Sequence, residues 1–175
     1  LVFQHVLSQV YVSAEAKDKT EHLTYKLTSV EMTTPCDGTY SFADATAGVG
    51  SWEIDNKSSM EYSYADALPL SFSETGSAKS GSTYWNILPV TDGKILFKVG
   101  YQVFQNGKMI AEFSGANAKT CEVISPNLVS GKRYVYNFLL TRGTEDAITF
   151  TTSIVDWDEN ANVTDLEPLD PALTY

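Results

Sequence analysis

The tetrapeptide Gln105-Asn106-Gly107-Lys108 constrains this chain more than any other short stretch. It separates two runs, residues 95–104 and 109–113, in which apolar side chains recur at alternate positions. A two-residue hairpin turn matched to the right-handed twist of its strands needs φ > 0 at both central residues, and Asn-Gly supplies that at least cost. The centre of the chain is therefore an antiparallel hairpin. A period of two in side-chain direction belongs to strands and not to helices.

The same period appears elsewhere. Residues 3–14 alternate loosely, with Val6, Val10 and Val12 on one face and Phe3, His5, Leu7, Gln9 and Tyr11 on the other, as in a strand buried over part of both faces. Leu23, Tyr25 and Leu27 alternate with Thr24, Lys26 and Thr28, and Val30 and Met32 resume the pattern after a bulge at Ser29. Pro35-Cys36-Asp37-Gly38 reads as a turn. Tyr40 with Phe42, and Trp52 with Ile54, mark two short strands. Residues 55–82 read as a long excursion with one short strand around Leu70 and Phe72. Residues 84–89, the pair Val123-Ile124, residues 133–141 and residues 148–155 complete the set. The best helix former, residues 13–19, carries no apolar face. Nine or ten strands separated by turns indicate an all-β sandwich or barrel.

Length fits this picture. A chain of 175 residues makes one domain of this kind and buries roughly 70% of its unfolded surface, enough to fold without a metal or a disulfide. The expected division is a β-sandwich domain over residues 1–160 and an acidic, Pro-containing tail over 161–175. Cys36 and Cys121 lie far apart and form no zinc pattern. They suit either a long-loop disulfide or two buried thiols.

The formal charge of −10 comes from 22 acidic against 12 basic residues. Nucleic acid is a poor partner for such a chain, because phosphates need clustered Lys and Arg. An anionic lipid surface is disfavoured in the same way. No run of 18 apolar residues exists to span a membrane as a helix. The chain opens on Leu1-Val2-Phe3 without a signal peptide. That start suggests a processed or trimmed product whose targeting segment has been removed.

A search for chemistry returns little, so neither an enzyme nor a cofactor is expected. The histidines, His5 and His22, lie in or beside strands and read as hydrogen-bonded structural residues. Nucleophile elbows, zinc-protease motifs and phosphate loops are missing from the sequence. Acids cluster at Asp156, Asp158, Glu159 and Asp165, and at Glu145 and Asp146, but a solvated loop is the plainer account than a glycosidase pair. The sharpest metal candidate is calcium. Asp156, Asp158, Asn160, Asn162 and Glu167 fall at positions 1, 3, 5, 7 and 12 of a loop spaced like an EF-hand. Position 6 is Ala161 rather than Gly and a strand precedes the loop, so an acidic loop is the preferred reading. Trp52, Tyr62, Tyr64, Tyr84 and Trp85 offer faces for sugar stacking, set against ordinary cross-strand packing.

Several stretches in shared order resemble the fimbrillin-like (Mfa-like) proteins of Bacteroides and relatives. Phe3-Gln4-His5-Val6-Leu7-Ser8-Gln9-Val10 resembles the family's opening strand, and Gly38-Thr39-Tyr40-Ser41-Phe42 followed by Trp52 its G-x-Y-x-F…W stretch. Ile87-Leu88-Pro89 resembles I-L-P-Q, with Val90 in place of Gln. Gly131-Lys132-Arg133-Tyr134-Val135-Tyr136 resembles W-x-x-G-x-x-Y-x-Y, with Leu128 in place of Trp. Residues 148–157 resemble the closing I-x-F…V-x-W.

The resemblance implies a transthyretin-like Greek-key β-sandwich of about 7–10 strands, such as forms the C-terminal domain of family members. It implies a structural or adhesive subunit of surface fimbriae, exported as a lipoprotein and associated with the outer membrane through a segment ahead of Leu1. It also implies partners among other fimbrial subunits, with host or bacterial surface ligands in addition, and assembly by strand exchange. Leu166, Leu169, Leu173 and Tyr175 then become the anchors of a donor tail. The alternative is a carbohydrate-binding surface module of a glycan-uptake system.

Overall fold

The alternating segments become ten strands in the computed structural model, which describes residues 5–17, 22–42, 50–63, 70–73, 79–142 and 148–157. They are β1 (Ser8–Ala16), β2 (Leu23–Ser41), β3 (Ser51–Ser63), β4 (Leu70–Ser73), β5 (Lys79–Ile87), β6 (Lys94–Gln105), β7 (Lys108–Phe113), β8 (Lys119–Ile124), β9 (Lys132–Leu140) and β10 (Thr149–Asp156). One 3₁₀ turn, Gly115–Asn117, is the helical element among the described residues.

One sheet runs β10-β9-β1-β5. In the other, β2 and β6 form the centre. The outer side of β2 is shared by β3 and β4, and the outer side of β6 by β7 and β8. Every pair is antiparallel except β1 with β9, whose parallel register runs from Gln9 opposite Arg133 to Ala16 opposite Leu140. A parallel strand with neighbours on both sides is ordinarily covered on both faces. Accordingly Ser8 through Ala14 are all buried, which explains the loose alternation of this segment in the sequence.

The core lies between the sheets. Phe97 of β6 packs against Tyr136 and Phe138 of β9, with ring centroids at 4.9 and 5.3 Å. Such tilted and edge-on aromatic pairs add about 1 kcal/mol each beyond area burial. Tyr101 of β6 packs on Phe113 in a tilted pair with 4.6 Å between centroids, and its hydroxyl donates to the Thr141 carbonyl at 3.0 Å, joining the two sheets by a hydrogen bond. The Asn106-Gly107 turn has φ of 50° and 76°, as a two-residue hairpin requires.

Four local expectations need correction. β1 begins at Ser8, so His5 precedes the strand instead of sitting in it. Pro35-Cys36-Asp37-Gly38 makes no turn; it lies within the 19-residue β2, where the register against β3 shifts between Pro35 and Asp37. β6 pairs β2 only as far as Thr33, so Pro35 lies where one side of β2 has no ladder to break. Residues 55–63 are not part of an excursion but prolong β3 along β2. Residues 79–83 likewise belong to β5. Sparse apolar content concealed these two strands, because sheet-edge positions need only one partner. The bulge expected at Ser29 is present, as a register shift between Leu27 and Ser29 against β6.

Three outcomes follow from this packing. Phe97→Ala removes the ring that bridges the sheets and should lower the unfolding free energy by about 3–5 kcal/mol, read from urea denaturation. The Thr34 hydroxyl is buried with no hydrogen-bond partner among the described residues. Thr34→Val, of the same shape, should therefore raise stability by about 1 kcal/mol in the same measurement. Both cysteines are free, with Cys36 half-buried and Cys121 buried. Burial pushes the Cys121 thiol up to about 12, so almost none of it is thiolate at pH 8. Ellman's reagent should titrate Cys36 in the native chain and Cys121 only after unfolding.

Candidate functional site

The described part of the chain enters and leaves the sandwich at the same end, and the loop over residues 127–131 fastens both points. The Val6 carbonyl accepts two hydrogen bonds, from Trp52 Nε1 at 2.6 Å and from Ser130 Oγ at 2.9 Å. The Gly131 amide donates to the Leu7 carbonyl at 2.8 Å, and Ser8 Oγ donates to the Val129 carbonyl at 2.9 Å. On the exit side, the Trp157 amide donates to the Gly131 carbonyl at 3.0 Å. The His5 imidazole lies flat on the Trp157 indole, with 4.0 Å between centroids and 5° between planes. The contact found for His5 is this stack on the aromatic that follows the exit strand, where a hydrogen-bonded residue was expected.

Local chemistry shapes this loop. Asn127 and Gly131 both have positive φ, 51° and 75°, a region open to Gly and more tolerated by Asn than by most residues. The Tyr134 hydroxyl accepts from the Val129 amide at 2.7 Å and donates to the Asn127 carbonyl at 3.3 Å. Burial raises its pKa, partly offset by that backbone amide and by Lys132. The Leu128 amide donates to the Val90 carbonyl at 2.8 Å, which ties the loop to the segment following β5.

A cleft of about 400 Å³ opens beside this fastening, with Trp52, Ile54, Asn56, Asp92, Leu128 and Val129 among its walls. The Asn56 side chain of β3 lies beside Gly93, where an added Cβ would meet its amide oxygen at 3.0 Å and φ is +101°. Around Trp52 a small aromatic group forms. Tyr40 lies 5.2 Å from Trp52 and 5.1 Å from Phe42, and Phe42 is 87% exposed. The cleft offers an indole, a carboxamide, a carboxylate and short hydroxyls, a set suited to holding a polar ligand.

The candidate residues from the sequence are distributed differently. Trp85 is 7% exposed and belongs to the core, so it cannot stack on a sugar. Trp52 is half-buried, and its indole N–H is already committed to Val6. Tyr62 and Tyr84 lie in β3 and β5, whereas Tyr64 falls outside the described residues. Asp156 ends β10, in register with Lys132. Its calcium companions Asp158, Asn160, Asn162 and Glu167, and the tail residues Leu166, Leu169, Leu173 and Tyr175, also lie outside the described residues. Among the described residues no group of three His, Cys, Asp or Glu side chains converges as a metal site would need. Asn56, Asp92 and Ser130 went unnoticed in the sequence because single polar residues, whether on an edge strand or in a loop, carry no pattern. Gly93 and Gly131, the positive-φ glycines beside them, were the available signal.

Comparison with known proteins accounts for these motifs together. The family model described as fimbrillin-like matches residues 1–157. Among solved structures, a fimbrial protein from Bacteroides vulgatus superposes with a TM-score of 0.63 at 13% identity, covering 89% of this chain and 55% of that one. A structure described as a candidate cell adhesion protein from Bacteroides ovatus gives 0.46 at 16% identity, covering 87% of this chain and 45% of that one. A similarly described protein from Bacteroides uniformis gives 0.45 at 12% identity, covering 90% and 52%. The chain therefore spans about half the length of these structures. No curated protein sequence matches it. The residues that build the fastening, from His5 and Trp52 to Gly131 and Trp157, all fall within the matched span, and the chain belongs to the fimbrillin-like family.

Proposed function

We propose that this chain is a structural or adhesive subunit of bacterial surface fimbriae rather than an enzyme. The observation that carries the reading is the fimbrillin-like match over residues 1–157 on a two-sheet sandwich. The location that goes with it is the cell surface, with attachment to the outer membrane through a lipidated segment ahead of Leu1. The partners are other fimbrial subunits, and the joint between them is strand exchange. A sandwich that lacks one strand exposes apolar surface and unpaired backbone groups, and a strand from a neighbour satisfies both.

In this reading residues 1–160 are the receiving domain and residues 161–175 the donor tail. Leu166, Leu169, Leu173 and Tyr175 are its apolar anchors. Pro168 and Pro171 interrupt ladder bonding, so the tail docks as a broken strand. Deleting residues 163–175 should abolish multimers that resist mild denaturant, scored by gel mobility without boiling and by electron microscopy. Multimers forming normally without those residues would remove the donor role from the tail.

The cleft favours a second reading, in which the surface of the subunit holds a glycan. Its walls combine the Trp52 indole with Asn56 and Asp92, the pairing of an apolar face with a few placed polar groups that ligand sites use. Binding on a glycan array that falls about tenfold in Asn56→Ala and Asp92→Ala would support it. An array without signal for the unmodified chain would end it.

A further inference from the structure

The sheet edges of this molecule are unequal. β3 carries Glu53, Asp55, Lys57 and Glu61 and a register shift. β4 has only four residues. β5 begins with Lys79, and its register against β1 shifts. β7 carries Lys108 and Glu112 and a register shift, and β8 has six residues that include Lys119 and Glu122. Charges, bulges and shortness are the devices by which exposed edges resist pairing with other chains. β10 is less defended, with a single charge, Asp156, at its last position. Its eight residues run in unbroken register against β9, and no charged residue occurs from Thr149 to Val155. Among the described residues no strand lies along its outer side.

A second observation concerns Ile154. It stands opposite Tyr134, as Phe150 stands opposite Phe138, so both belong to the sheet face that looks into the core. Phe150 packs against that core. Ile154 is nevertheless 43% exposed. The inward face of the sheet is thus incompletely covered beside its less defended edge.

We propose that β10 pairs with β10 of a second copy of this chain, antiparallel about a two-fold axis through Thr152. The sequence Phe150-Thr151-Thr152-Ser153-Ile154 is what selects that occupant. Pairing about Thr152 sets Phe150 opposite Ile154 of the other copy on the inward face, and Thr151 opposite Ser153 on the outward face. Apolar then meets apolar, hydroxyl meets hydroxyl, and no charge opposes a like charge in a chain of net charge −10. Directly opposed pairs of these kinds are the stabilising unit of antiparallel sheets. The joint closes on itself, as a two-fold interface must, and the two four-stranded sheets become one of eight. An eight-residue edge buries less than the roughly 1,200 Å² of a standard interface, so the dimer is weak and concentration-dependent. The pairing uses neither the tail nor fimbrial assembly.

Sedimentation of the full chain over a concentration series should show a reversible monomer–dimer equilibrium. Ile154→Lys should weaken it about tenfold or more, because an inward-pointing charge on an edge opposes pairing. Ile154→Val, and Ser59→Lys on the β3 edge, should leave it within about twofold. In a Cys36→Ser background, Thr152→Cys should cross-link to itself under mild oxidation, since opposed residues have Cα atoms about 5 Å apart, while Thr149→Cys should not. A chain that stays monomeric, a dimer indifferent to Ile154→Lys, or cross-linking at Thr149 without Thr152 would each overturn the proposal. The cross-linking arm decides the matter even if Ile154→Lys fails to fold.

Discussion

The fold depends on the place of β1. It is the first described strand of the chain, yet it lies inside its sheet, parallel to β9 on one side and antiparallel to β5 on the other. Its parallel partner begins more than a hundred residues later, so the sheet can close only after most of the chain has been made. The cost of that long closure grows slowly with length, whereas the gain is a strand covered on both faces from Ser8 to Ala14. Polar groups buried with it are matched across the sheet. Ser13 Oγ donates to Asn137 Oδ1 at 2.9 Å, and Gln9 Nε2 donates to Asn86 Oδ1 at 3.3 Å. Without such partners each would carry a desolvation penalty of about 1–3 kcal/mol.

Because β1 is interior, the chain must cross the rim of the sandwich to reach it, and the fastening at Val6 to Ser8 marks that crossing. Val6 precedes the ladder, and its carbonyl would otherwise lack a strand partner; Trp52 and Ser130 provide for it. The motifs that resemble the family acquire physical meanings here. Gly131 supplies a positive φ and amide and carbonyl contacts to entry and exit alike. Trp52 supplies a long side chain that reaches from the opposite sheet. His5 and Trp157 close the gap between the first and last described residues by stacking. Residues scattered over the chain thus serve one junction.

The strong signals in the sequence were those that need no tertiary context. Asn106-Gly107 names its own turn, and Leu23 to Met32 alternates because one face of β2 is core while the other is partly solvated. Pro35-Cys36-Asp37-Gly38 misled for the converse reason. A Pro followed by Asp-Gly is locally a turn, but β3 holds the segment extended and absorbs the mismatch as a bulge. β3 beyond Ile54 was illegible because Ser, Glu, Lys and Asn suit a solvent-facing edge as well as a loop. Trp85 and Trp52 looked equivalent as aromatic candidates, and only the packing separates a core residue from one at the rim. The aromatic cluster and the Gly131 junction were legible as motifs, while the cleft beside them was not. Its walls come from β3, the segment after β5 and the loop before β9, which no spacing rule connects.

In the pairing proposed for β10, an edge and not a pocket carries the partnership. A closed barrel has no edges to offer, whereas two open sheets have four sides. Among the described residues three of those sides bear the charges, bulges and short strands that discourage pairing, and the fourth, at β10, carries a charge only at its last position, Asp156. If the otherwise uncharged edge were merely tolerated, one lysine in place of a threonine would suffice to defend it, at little cost to a strand whose Thr149 and Thr151 are exposed. A high net negative charge already keeps copies apart at long range, with a screening length of about 8 Å in physiological salt. A neutral edge acts only at contact, where hydrogen bonds and side-chain register decide. The two features are compatible with a molecule that stays dispersed until aligned, and then joins through its backbone.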